Sequence, residues 1–122
     1  MTLIFYEKNE SEQSQLGTSW LSALFKSGTL NADEAHLVWV YAEYSGELTN
    51  REVQIQVLLD GVERGVDYHT PAVAHEYKAF TAFGLIETGG VEESHSVEVR
   101  VRGGHSSQTV YVRRVRLAVM QE

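Results

Sequence analysis

A chain of 122 residues is the size of one domain and buries roughly two thirds of the surface of its unfolded form, enough for one core without cross-links. It has no cysteine and a formal net charge of -7, which excludes disulfides, thiolate zinc centres and cysteine nucleophiles. The same charge argues against a basic nucleic-acid surface, which needs clustered cations to displace counterions. No stretch approaches the ~20 apolar residues of a membrane-spanning helix. Met1–Lys8 lacks the basic region, apolar run and cleavage site of a secretory leader. The expectation is a chain that stays where it is made, or is assembled into something there.

The first apolar stretch, Thr2–Tyr6, fits a short strand or an arm. Glu7–Gln15, without an apolar residue, reads as a solvated connection. Residues 1–18 are thus expected to be an N-terminal arm and polar linker, the arm free to reach a neighbouring subunit. Residues 19–122 are expected to be a single domain.

Ser19–Phe25 suits a helical turn or a strand. His36–Tyr44 is rich in aromatic and β-branched residues, which favour a pleated surface. Leu37, Trp39 and Tyr41 lie on one face and Val38, Val40 and Ala42 on the other, so the strand is apolar on both sides and needs cover on each. Gly46 and Asn50 mark a loop. Val53, Ile55, Val57 and Leu59 alternate with Glu52, Gln54 and Gln56. Asp60-Gly61 then gives a strong hairpin signal, because the tight turn needs positive φ. Val62–His69 is the returning strand, and Pro71, the only proline, closes the unit.

Tyr77–Glu87 is another strand, with Phe80, Ala82 and Gly84 alternating against Ala79, Thr81, Phe83 and Leu85. After Gly89-Gly90, Val97, Val99 and Val101 alternate with Glu98, Arg100 and Arg102, giving one core face and one wet face. Gly103-Gly104 reads as a second hairpin turn. The last strand carries Val110 and Val112, then Val115, Leu117 and Val119. Its apolar phase slips by one residue at Arg113-Arg114, as at a β-bulge. The pattern predicts an all-β fold, an antiparallel β-sandwich of the jelly-roll type with about seven or eight strands.

Reactive groups are sparse, and no catalytic, cofactor-binding or metal-binding residue is assigned. His36, His69, His75, His95 and His105 form no short zinc spacing. His69 and His75, beside Asp67 and Glu76, could share a loop, where solvated histidines are the simpler reading. Ser19, Ser22 and Ser45 lie in no nucleophile elbow. Gly103–Ser107 lacks the lysine and helix of a phosphate loop. Asp33-Glu34 and Glu92-Glu93 are the carboxylate pairs available to a hydrolase. Arg100, Arg102, Arg113, Arg114 and Arg116 fall on the last two strands, taken as hairpin neighbours. They form either cross-strand ion pairs or an arginine face for an acidic protein partner.

His36–Arg116 resembles small jelly-roll proteins of tailed-bacteriophage virions. The resemblance lies in Leu37–Tyr44, in the strand and turn Asn50–Gly61, and in Thr109–Arg116. It implies a non-catalytic virion structural protein, a capsid decoration or cement protein. Such a chain would act as a homotrimer that binds the major capsid protein or other virion proteins. It would need no cofactor, nucleic acid or membrane, and its place would be the virion, assembled in the host cytoplasm. The alternative is a tail-fibre or receptor-binding tip, or a carbohydrate-binding module. Sugar sites use exposed aromatics, and Tyr44, Tyr68 and Tyr77 near strand ends are the candidates for one.

Overall fold

The computed structural model describes residues 1–122. Nine strands follow one another: β1 (Thr2–Asn9), β2 (Gln13–Leu16), β3 (Leu21–Leu30), β4 (Ala35–Gly46), β5 (Val53–Leu59), β6 (Val62–His69), β7 (Lys78–Glu87), β8 (Glu93–Gly103) and β9 (Thr109–Gln121). One sheet, A, has the order β1-β9-β4-β7, with β2 also on β9; the other, B, has the order β3-β8-β5-β6. With β1 and β2 counted as one interrupted strand, this is an eight-stranded jelly roll. Every pairing is antiparallel.

Alternation decides which residues meet between the sheets. Val38, Val40, Ala42 and Tyr44 of β4 face Val53, Ile55 and Val57 of β5 and Val97, Val99 and Val101 of β8 across the core. β9 contributes Val110, Val112, Val115, Leu117 and Val119. These five share one face only because the register slips, as the apolar phase predicts. Tyr41 pairs with Arg116 but Glu43 pairs with Arg113, so β9 holds an extra residue there. Arg114 absorbs it with a φ of 50°, the left-handed conformation of a bulge. Asp60 (φ 55°) and Gly61 (φ 78°) likewise form the two-residue turn between β5 and β6, a type I′ geometry that matches strand twist.

Two sequence expectations are corrected, and one open alternative is settled. Residues 1–18 form β1 and β2, both paired to β9. Thr2–Tyr6 is therefore no free arm, and much of Glu7–Gln15 is strand. Phe5 turns inward, and its ring fills the space where a side chain on Gly28 of β3 would lie. The polar run pairs because its backbone needs only the β9 ladder; Gln13 Nε2 donates to the Ala23 carbonyl at 2.9 Å. Ser19–Phe25, ambiguous in sequence, leads into β3, which runs on to Leu30. Finally, β8 and β9 are not hairpin neighbours: they lie in different sheets, and Gly103–Gln108 crosses between them. No local residue type separates such a crossing from a hairpin turn.

That crossing is held by Gln108, which is fully buried. Its Oε1 accepts from the Leu48 N–H at 2.8 Å, and its Nε2 donates to the carbonyls of Leu48 (3.0 Å) and Arg51 (2.8 Å). Gly46 leaves room for this amide, because a Cβ there would lie 2.5 Å from Nε2. His36 is the opposite case. It is fully buried, yet neither ring nitrogen has a hydrogen-bond partner, a state that costs about 1–3 kcal/mol. His36→Leu should therefore raise stability by about 1 kcal/mol in denaturant unfolding; a clear loss would mean that the imidazole has a partner.

Candidate ligand-binding face

The outward side chains of sheet A form a graded surface, set by register. At one end lies an aliphatic row in which Leu3 pairs with Met120, Met120 with Leu37, and Leu37 with Leu85. The next row is aromatic, with Tyr6 on Ala118, Ala118 on Trp39, and Trp39 on Phe83. Then come Lys8, Arg116, Tyr41 and Thr81, and beyond them Glu43 with Arg113. Phe83 is 67% exposed, Leu85 62% and Leu3 58%. A contiguous apolar patch of this kind marks a binding surface more often than an isolated exposed leucine does. His36–Tyr44 reads as a strand apolar on both faces; its outer face is only half covered, by its own neighbours.

Trp39 and Tyr41 stand side by side with centroids 6.4 Å apart and ring planes 16° from parallel. The Tyr41 hydroxyl donates to Glu43 Oε2 at 2.6 Å, and this bond raises the phenol pKa. Burial alone would lift the Glu43 carboxyl. Hydrogen bonds from Tyr41 and Arg113, with the nearby Arg114 charge, outweigh it and hold the group below its ordinary value. Arg116 lies 5.8 Å from the Tyr41 ring centroid and forms a two-pronged pair with Glu10 at 2.8 and 3.1 Å. The aromatic strip therefore has a fixed charged margin. Toward the loop end, the Tyr77 ring lies 3.7 Å below the Arg113 guanidinium. His75 packs at 4.2 Å against Tyr111, and both reach Glu47.

The structure separates the five arginines that one of the two sequence readings gathers on a single face. Arg113, Arg114 and Arg116 sit outside sheet A, paired with Glu43 or Glu10. Arg100 and Arg102 sit outside sheet B, at 4.4 and 4.3 Å from the Trp20 ring. They bond to Gln56 and Gln54. Two arginines against one indole give cation–π contacts of about 0.5–1 kcal/mol each at exposed sites. No single arginine surface exists, and every one of the five has an internal partner.

The remaining sequence candidates scatter. Tyr44 is fully buried, and its hydroxyl donates to Asp67 at 2.7 Å. Burial first, then this bond, raise its pKa far above the usual tyrosine value. It cannot contact a ligand. Tyr68 is exposed on β6, away from sheet A, and Tyr77 is half-buried under Arg113. His69 and His75 part ways, His69 Nε2 to the Glu76 carbonyl and His75 to Glu47. No three His, Asp or Glu side chains converge as metal ligands. The two carboxylate pairs do share one end of the sandwich, where the Asp33 N–H donates to the Gly89 carbonyl. There Glu93 already accepts from the Gly89 N–H and from His95. The sequence missed Tyr6 and Phe83 as site residues, because only the register places them in the same row as Trp39.

No family model and no curated protein sequence matches this chain. Solved structures with the same fold include the C-terminal domain of EclA, described as a sugar-binding protein. It is 13% identical at a TM-score of 0.57, over 88% of this chain and 77% of that one. Infectious bursal disease virus VP2 is 10% identical at a TM-score of 0.55; 94% of this chain matches 32% of the virus protein. The CBM36-1 domain of a multidomain xylanase from the hindgut metagenome of Trinervitermes trinervoides is 10% identical at a TM-score of 0.50, with 93% and 96% covered. At these identities the likeness is one of fold.

His95 offers a check on this electrostatic picture. Its Nδ1 donates to Asp60 at 2.6 Å and its Nε2 to Glu93 at 2.8 Å. Burial opposes its charge, but the two carboxylates prevail and raise its pKa above 6.5. A raised folded value gives stability that is full below pH about 6.5 and fades as pH rises through the folded value. Thermal melts should therefore show wild type losing stability against His95→Gln as pH climbs from 6 to 9. A constant difference would refute the charged pairing.

Proposed function

We propose that this chain is a non-catalytic carbohydrate-binding module that receives an extended polysaccharide on the outer face of sheet A. The half-exposed Trp39–Tyr41 strip is the observation that carries the reading. A pyranose ring has an apolar face of C–H groups that stacks on an aromatic ring, while its hydroxyls seek polar partners. Here stacking surface and charged margin adjoin, with Trp39, Tyr41, Tyr6 and Phe83 next to Glu10, Glu43 and Arg116. The surface is an open sheet face, whereas small-molecule sites are concave; an open face suits a long chain that lies across several rings. The side chains that fix the margin are already hydrogen-bonded, so little freedom is lost on binding.

A second reading, capsid decoration, draws on the aliphatic row Leu3, Met120, Leu37 and Leu85, which suits a protein partner better than a sugar. Its arginine contacts lose support, because the arginines are paired internally. Under that reading the chain would cosediment with capsid shells, and Leu85→Glu would abolish the association.

Binding to a panel of soluble and insoluble polysaccharides separates the two. Trp39→Ala should weaken the affinity for the bound polymer at least about 30-fold, the loss of about 2 kcal/mol expected of a central anchor. Trp20→Ala, on the opposite sheet, should leave it unchanged. If wild type retains none of the panel, or Trp39→Ala binds as well as wild type, the carbohydrate reading fails.

A further inference from the structure

The arginines of β8 and the exposed Tyr68 have no part in the sheet A face, yet they share a surface of their own, outside sheet B. Register sets Arg102 opposite Gln54 and Gln54 opposite Tyr68 in one row, with Arg100, Gln56 and Val66 in the next. Tyr68 is 52% exposed. It stands two strand spacings from Arg102, about 10 Å.

These two arginines differ from the three on β9. Arg113, Arg114 and Arg116 are neutralised by Glu43 or Glu10, whereas Arg100 and Arg102 form no ion pair. Their partners are uncharged. Gln56 Oε1 accepts from Arg100 Nε at 3.0 Å and Nη2 at 2.8 Å, and Gln54 Oε1 accepts from Arg102 Nε at 2.8 Å. Both guanidiniums also rest against the half-buried Trp20 ring. The carboxylates nearby are engaged elsewhere: Glu98 accepts from Ser22 Oγ at 2.7 Å, and Glu52 from Gln54 Nε2 at 2.9 Å. Two positive charges are thus fixed in place without a counter-charge, in a chain whose net charge is -7. Beside Trp20 the groups left without a partner are all donors: the Arg102 Nη groups, Arg100 Nη1 and Gln56 Nε2. A ligand that meets charged donors alone is an oxyanion, which forms the stronger, charge-assisted bonds with them.

We propose that the outer face of sheet B is a second binding site, which takes the carboxylate or sulfate groups of an acidic polysaccharide. The oxyanion lies against the two guanidiniums, and a ring of the same polymer reaches the exposed face of Tyr68. Sheet geometry favours a glycan over a peptide. A peptide gains most on a sheet by adding a strand to an edge. Both edges of sheet B are broken by an extra residue, Ala23 in β3 and Arg64 in β6, and such bulges blunt an edge. A nucleic-acid backbone needs many clustered cations, and this cluster offers two. The site lies on the opposite side of the sandwich from sheet A and stands whether or not sheet A holds a polymer.

The chain has two tryptophans, and they report on the two faces separately, Trp39 on sheet A and Trp20 on this site. Wild type is titrated by NMR with oligogalacturonate and with a sulfated chondroitin oligosaccharide. The Trp20 indole N–H signal should shift and saturate with at least one of them, and the one that acts tells carboxylate from sulfate. An uncharged galactose oligomer should leave Trp20 unmoved, and poly-glutamate should bind more weakly than the acidic sugar. The double variant Arg100→Gln, Arg102→Gln should weaken binding about tenfold or more. The charge-keeping pair Arg100→Lys, Arg102→Lys should weaken it about fivefold, because an ammonium lacks the planar fork that bonds glutamine and ligand together. A Trp20 signal silent to both acids, a shift at Trp39 in its place, poly-glutamate binding as tightly as the sugars, or a lysine pair that binds like wild type would each overturn the proposal. The titration of wild type stands even if the variants fail to fold. Neutral polymers test sheet A and acidic ones this face, so either reading can fail alone.

Discussion

One residue in the left-handed region keeps this molecule's two surfaces distinct. A strand that slips by one position turns every side chain to the opposite face. Without the extra residue at Arg114, Val115, Leu117 and Val119 could not share a face with Val110 and Val112. Arg116, Ala118 and Met120 would turn inward with their polar and flexible groups. The dry core and the graded outer face of sheet A are therefore two results of one backbone kink. β9 can carry it because the strand is held on both sides, by β4 on one and by β1 and β2 on the other.

What the sequence made legible was parity. Val53 through Leu59 and Val97 through Val101 alternate cleanly, and the structure places their valines inward. Asp60-Gly61 and the slip at Arg113-Arg114 are local backbone requirements written in residue type, and both were readable. Sheet membership was not. Gly103-Gly104 crosses between sheets, and nothing near it differs from a hairpin glycine pair. The polar run from Glu7 hid a strand because an edge strand can be recruited by its backbone alone, with little side-chain burial.

The candidate site was half legible for the same reason. Leu37, Trp39 and Tyr41 announced a second apolar face on β4. Tyr6 and Phe83, far apart in the chain, join that face only through register with β9 and β4. Tyr44 misled because its parity matches the core. Its hydroxyl is accommodated there by Asp67, which reaches inward from β6. The arginines misled because proximity in sequence was taken for proximity in space, whereas the β8–β9 crossing carries them to opposite outer faces.

The pairing of β1 with β9 also sets how the molecule bears load. Thr2 lies opposite Gln121, so the two ends of the described chain leave from neighbouring points at the edge of one sheet. Tension applied between them acts across the β1–β9 ladder and opens its hydrogen bonds one after another, as a zipper opens. A shear geometry would load all the bonds together and resist far more strongly. Held by those two ends, the sandwich is mechanically soft. Force borne through the outer face of sheet A enters along β4 and β9 instead, where each strand is braced by a neighbour on either side.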